Sequence, residues 1–202
     1  MAKMSFIKPA ILSVILIFVL STNMEAQNSF GVSANYSIAA SELGQGAKNG
    51  FGATIHYIKA FDEYVSLGVS VGYVNFANKN TDSKISPLIN GTALQIIPVT
   101  LDAKVYFGSI IEGPGEKKAA DEKTWRPFVG VDVGWATANM KLVTNSKNYF
   151  TGGPQIGVDY RVNDNFKIRF NVMDNLMIYN RLTYSYDIIS WTSLNVGGIF
   201  KF

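Results

Sequence analysis

Tyr64-Val65-Ser66-Leu67-Gly68-Val69-Ser70-Val71-Gly72-Tyr73-Val74 alternates strictly from Val65 to Tyr73. Val65, Leu67, Val69, Val71 and Tyr73 fall on one side; Ser66, Gly68, Ser70 and Gly72 fall on the other. Side chains alternate between the faces of a strand, whereas a helix gathers its apolar residues at every third or fourth position. This stretch therefore reads as a β-strand with one greasy face and one face of small polar residues.

The same pattern recurs on both sides of it. Upstream, Phe30, Val32, Ala34, Tyr36 and Ile38 oppose Gly31, Ser33, Asn35 and Ser37, and Phe51, Ala53, Ile55 and Tyr57 oppose Gly52, Thr54 and His56. Downstream, Ile97, Val99, Leu101, Ala103, Val105 and Phe107 oppose Thr100, Asp102 and Lys104. Val129, Val131, Val133 and Trp135 oppose Gly130, Asp132 and Gly134. Ile156, Val158, Tyr160 and Val162 oppose Gln155, Gly157, Asp159 and Arg161. Phe166, Ile168, Phe170 and Val172 oppose Lys167, Arg169 and Asn171. Last, Leu194, Val196, Gly198, Phe200 and Phe202 oppose Ser193, Asn195, Gly197, Ile199 and Lys201. Eight such segments predict an all-β chain, an eight-stranded antiparallel up-and-down barrel. Each is about as long as a tilted strand needs to cross a bilayer, roughly 9–11 residues.

The connections support that order. Asp62-Glu63 and Asn163-Asp164-Asn165 read as tight turns, while residues near 39–49, 78–91, 141–150 and 175–189 read as longer polar loops. Short turns on the periplasmic side and longer outer loops are the rule in transmembrane barrels. Residues 108–124, with Gly113-Pro114-Gly115 and clustered Lys, Glu and Asp, break the rule and read as a flexible excursion.

Alternation alone does not say which face is outside; a soluble lipocalin-like barrel with a greasy interior has the same period. Charge placement favours lipid outside. Asp102, Lys104, Asp132, Asp159, Arg161, Lys167, Arg169 and Lys201 all lie on the polar faces. They form a set that pairs internally as an interior polar network. No charge interrupts the centre of an apolar face, where Arg or Lys costs about 2–4 kcal/mol at mid-bilayer. Aromatics gather at the strand ends: Phe30, Phe61, Tyr64, Phe107, Tyr160, Phe166 and Phe202 toward one rim; Tyr36, Phe51, Tyr73, Trp135 and Tyr179 toward the other. Such girdles mark membrane interfaces.

The first residues predict export. Lys3 and Lys8 precede an apolar run from Ile11 to Leu20, broken only by Ser13, and Ala26 precedes Gln27. That is the layout of a signal peptide over residues 1–26, leaving 27–202 as the barrel domain. The run is too short for a spanning helix of about 20 residues. The net charge of the whole chain is +3. Removal of Lys3, Lys8 and Glu25 lowers it to +2. No basic tract with interleaved aromatics suggests nucleic acid. The absence of cysteine excludes disulfides and thiolate sites.

The ending on Phe200 and Phe202, in register with an alternating strand, resembles the C-terminal signal that assembly machinery reads on outer-membrane barrels. Ile97-Pro98, then Lys104, Tyr106 and Phe107, then Arg126-Pro127-Phe128-Val129-Gly130, resemble the small outer-membrane β-barrel domain family that includes PorT-like proteins. The general look is that of OmpX and the OmpA transmembrane domain. The resemblance implies an integral protein of the cell outer membrane, seated in its lipid bilayer and inserted by the barrel-assembly machinery. PorT-like relatives bring in a transport or protein-secretion role as an alternative. The resemblance carries no functional residue across, and the charged 108–124 connection departs from its short-turn pattern.

Chemistry-bearing residues are few. His56, the only histidine, lies on a polar face and reads as part of an interior hydrogen-bond network. A catalytic base requires a nucleophile and an orienting partner, and no serine or aspartate signature flanks His56 in sequence, only Thr54, Tyr57 and Ile58. Asp102, Asp132 and Asp159 have bases nearby and read as ion-pair members rather than general acids. Gly44-x-Gly46-x-x-x-Gly50 lacks the spacing of a phosphate loop and reads as a flexible outer loop. Asn35-Tyr36-Ser37 and Asn90-Gly91-Thr92 match a glycosylation sequon weakly. The loop around Asn80, Asp82 and Ser83 lacks the ligand spacing of a calcium loop. No catalytic, cofactor or metal site is expected. An eight-stranded barrel is just wide enough to be filled by its own side chains, so a wide pore is not expected either. The remaining reading is a non-catalytic barrel with a structural role or an interaction role. An envelope-protein partner would dock through its outer loops or residues 108–124. A soluble binder of a small apolar ligand is the structural rival.

Overall fold

The computed structural model describes residues 27–61, 64–79, 93–107, 125–138, 148–182 and 185–202. The expected leader, the Asp62-Glu63 turn, the 108–124 connection, the Asn90 sequon, the Asn80-Asp82-Ser83 loop and the Tyr179 side chain lie outside what is described. Eight strands run in chain order: β1 Gln27–Ala40, β2 Ala47–Ala60, β3 Val65–Asn78, β4 Ala93–Tyr106, β5 Trp125–Ala138, β6 Asn148–Arg161, β7 Phe166–Leu182 and β8 Ser185–Lys201. Every strand pairs antiparallel with its neighbours in sequence, and β1 closes on β8. Closure leaves no open sheet edge around the wall, so the ladder satisfies backbone groups that lipid cannot.

The register fixes the shape. From Gln27 the pairing runs Ala60, Ser66, Lys104, Gly130, Gln155, Met173, Ser193 and back to β1 at Ser37, ten residues further on. A stagger of that size tilts the strands by roughly 35–45° to the barrel axis.

The apolar faces point outward. Val32, Ile55, Val71, Leu101, Val131, Ile156, Val172 and Val196, one from each strand, are all exposed. A wall of aliphatic side chains around the whole circumference far exceeds the few hundred Å² that soluble proteins expose; lipid is its solvent. Rings mark both ends of this wall. Trp125 packs on Tyr160 at 4.5 Å and Phe166 on Phe200 at 4.7 Å near the chain ends. Tyr36 packs on Phe51 at 5.1 Å toward the other rim.

The strands are longer than the expected span: 14 residues in β1 to β6 and 17 in β7 and β8. Two expected loops are therefore corrected. Residues 39–49 are mostly the end of β1, a short helix α1 (Ser41–Gly46) and the start of β2. Gly44 and Gly46 thus lie on α1 and Gly50 on a strand, instead of in a flexible loop. Residues 175–182 and 185–189 belong to the upper halves of β7 and β8, paired as far as Leu182 and Ser185. Asp174 and Thr192 interrupt the apolar run there, but the ladder continues because backbone pairing is indifferent to it.

The lumen is not uniformly polar, contrary to the reading of small polar inner faces. At the loop end it holds a buried apolar cluster that includes Leu43 of α1, Phe76, Leu94, Ile96, Met177 and Trp191. Phe76 and Trp191 meet edge to face at 6.1 Å. Val74 and Phe76 simply continue the inner row of Ser66, Gly68, Ser70 and Gly72. Change of residue type along one face, not change of face, makes the cap.

Candidate functional site

Below the apolar cap the lumen is polar in two layers. The middle layer is neutral. Ser33 Oγ lies 3.0 Å from His56 Nε2, and Asn35 donates to Thr54 at 3.2 Å. Ser70 and Thr100 hydroxyls meet at 2.7 Å, and Asn171 donates to Gln155 at 3.3 Å. His56 is thus a lumen residue bonded to a serine, as its place on the polar face predicts.

The lower layer, toward the chain ends, is charged. Arg169 Nε donates to Asp159 Oδ1 at 2.7 Å and its Nη2 to Oδ2 at 2.8 Å. The same Nη2 donates to the Tyr106 hydroxyl at 2.8 Å, and that hydroxyl donates to Asp159 Oδ2 at 3.2 Å. Phe128 lies under this triad, with the guanidinium 4.9 Å from its ring centre and Tyr106 5.5 Å away. Lys104 pairs with Asp102 two residues along the same strand. All these side chains are buried. Burial without partners would cost several kcal/mol per ion, and the bidentate fork is the geometry that offsets it best.

Strand register explains why these residues meet. Asp159 and Arg169 are directly opposed across β6 and β7. Tyr106, in phase with Asp102 and Lys104 on β4, reaches the same depth.

The eight residues named from sequence do not form one network. Asp102 with Lys104 and Asp159 with Arg169 form two pairs. Asp132 stands opposite Asp102 across β4 and β5, buried, with its Oδ1 unbonded. Arg161 is corrected: it pairs with Asp164 in the half-exposed turn after β6 instead of joining Arg169. It is the last residue of its strand, and the turn brings the acid back beside it. Lys167 and Lys201 face the lumen mouth, each half-buried. Tyr106 and Phe128 were not recognised as lumen residues. Carrying the two-residue alternation outward from Asp102–Lys104 and from Gly130–Asp132 finds both.

Among the described residues no group of three or more His, Asp or Glu side chains is placed to hold a metal ion. Nor is any helix there long and apolar enough to cross a membrane, which a strand-spanning chain does not need.

A closed eight-stranded wall, apolar outside, girdled by aromatics and filled with paired charges, defines an integral membrane β-barrel. The family model of the outer membrane protein beta-barrel domain matches residues 10–200, and the chain belongs to that family, a set of proteins of the outer membrane. The chain is similar to several solved structures, and the first of these shares its fold. Neisserial surface protein A is 17% identical with a TM-score of 0.60, covering 88% of this chain and 99% of that one. OprG from Pseudomonas aeruginosa is 12% identical with a TM-score of 0.49, covering 89% and 96%. The N-terminal β-barrel domain of OprF from the same organism is 17% identical with a TM-score of 0.45, covering 88% and 100%. Among curated proteins no relative is found.

Proposed function

We propose that this outer-membrane barrel is a non-catalytic, non-conducting protein that acts through the surface it presents outside the membrane. The observation that carries this reading is the filled lumen. An apolar cluster containing Phe76 and Trp191 occupies the loop end, and the Arg169–Asp159–Tyr106 triad with Phe128 occupies the other. A conduit would need a continuous polar path past both. Leu43 also ties α1 into the apolar cluster, so the outer connection after β1 is packed in place for display. Export through a leader at residues 1–26 and assembly read from Phe200 and Phe202 belong to the same proposal; Phe200 and Phe202 are both exposed at the closing end of β8.

Planar bilayer recording tests the reading. The expected result is no unitary conductance, with surface cross-linking of intact cells capturing a partner. Steady unitary currents would overturn it and favour the transport or secretion alternative.

A further inference from the structure

Among the described residues, the lumen mouth beside the chain ends carries more cations than anions. Arg126, Arg161, Lys167, Arg169 and Lys201 lie on the inward faces of β5 to β8 there, against Asp159 and the turn residue Asp164. Asp159 is taken by Arg169 and Asp164 by Arg161. Lys167 and Lys201 then have no carboxylate within salt-bridge distance among the described residues. Register brings them together: Lys167 is paired with Ile199, two residues from Lys201, and opposes Arg161 on its other side. Arg126 approaches from β5, its guanidinium 5.0 Å from the Tyr106 ring centre.

These side chains surround a cup. Its floor is the layer of Tyr106, Phe128 and Arg169, which is buried and closes the lumen above them. Half-buried ammonium groups of like sign, with no counter-charge paired to them among the described residues, are unfavourable, and an anion in the cup relieves both the repulsion and the lost hydration. The outer sides of the same strand ends carry the Trp125–Tyr160 and Phe166–Phe200 ring pairs. Such belts sit at headgroup level, so the cup opens at the depth of inner-leaflet phosphates. We propose that this mouth is an anion-binding site for a phosphate group presented from the periplasmic side. A phosphate offers three or more oxygens in a tetrahedral array to cations converging from β5, β7 and β8. A planar carboxylate serves two of them.

The test uses the protein refolded in octyl glucoside, which contains no phosphate, titrated with inorganic phosphate and followed by amide NMR shifts. The expected result is saturable shifts around residues 126, 161–169 and 199–201. Binding should weaken at least tenfold in Lys167→Gln/Lys201→Gln and remain unchanged in Lys48→Gln at the opposite end. Heat-dependent gel mobility shows whether the double variant folds; if it does not, Lys201→Gln alone is expected to weaken binding several-fold. No saturable shift, or undiminished binding in the folded lysine variants, overturns the proposal. Repetition in phosphatidylglycerol and in phosphate-free glycolipid bilayers separates the sources. Loss of the added-phosphate response only in phosphatidylglycerol supports a lipid headgroup as occupant; its persistence in both supports free phosphate.

Discussion

Arg169 and Asp159 stand opposite each other on adjacent strands, and two nitrogens of the guanidinium meet both oxygens of the carboxylate, at 2.7 and 2.8 Å. Neither is more than 5% exposed at its side chain. The fork, with Tyr106 closing it, is a bidentate charge-assisted pair, the stronger kind of hydrogen bond.

Removing one partner leaves the other charged, buried and alone, which costs about 3–5 kcal/mol. Asp159→Asn and Arg169→Met are each expected to lower the temperature at which the barrel unfolds in detergent. The double replacement by Leu and Met should recover most of that loss, since a packed apolar pair avoids desolvation altogether. A thermal melt of the four forms measures it.

Asp132 behaves differently. It lies opposite Asp102, whose charge is answered by Lys104, and it has no ion-pair partner among the described residues. Asp132→Asn is therefore expected to leave stability unchanged or raise it by up to ~1 kcal/mol, removing like-charge repulsion. Asp102→Asn strands Lys104 and is expected to destabilise by at least ~2 kcal/mol. Urea unfolding of the two variants side by side distinguishes them, and equal losses would contradict this assignment.

Gly134 faces the lumen where β5 passes β4. A Cβ there would collide with the Val99 carbonyl oxygen and the Thr100 backbone. Because those atoms belong to the ladder, they cannot step aside as a flexible side chain would. Gly134→Ala is expected to cut the yield of folded barrel several-fold, while Gly31→Ala, whose nearest neighbour is the Ile199 side chain at 3.2 Å, is expected to fold. Gel quantification of folded protein compares them.

The outer wall gives the converse test. Val131 is exposed near the middle of β5, and Asn75 is exposed near the outer end of β3. Val131→Arg places a cation at mid-bilayer and is expected to cost about 2–4 kcal/mol. Asn75→Arg, at the interface, is expected to cost less than ~1 kcal/mol. Equilibrium unfolding from lipid vesicles reads both.

The strands of the wall were legible from the two-residue period, because lipid on one side and a narrow lumen on the other demand opposite chemistries at alternate positions; which face meets lipid took the placement of charges and aromatics as well. Strand ends were not legible. At Asp174 and Thr192 the apolar face loses its contrast near the interface, although hydrogen-bonded pairing continues to Leu182. The lumen was half legible. Charged residues stand out on a strand, so Asp102, Lys104, Asp159 and Arg169 were found. Val74, Phe76 and Trp191 were missed, because an apolar residue on an otherwise polar face looks like noise until the other strands contribute theirs at the same depth. Which cation meets which acid was not legible either. Arg161 and Arg169 sit on similar inner faces, and only the register and the turn after β6 send one to Asp164 and the other to Asp159.

The central claim is a closed barrel, apolar outside and filled within. Its most direct test is gel mobility of the native envelope protein in SDS, unheated against boiled. The account predicts a distinct unheated band, held by the closed ladder, that moves to the unfolded position only after heating. One position under both conditions, with the protein recovered in the soluble fraction, would contradict it.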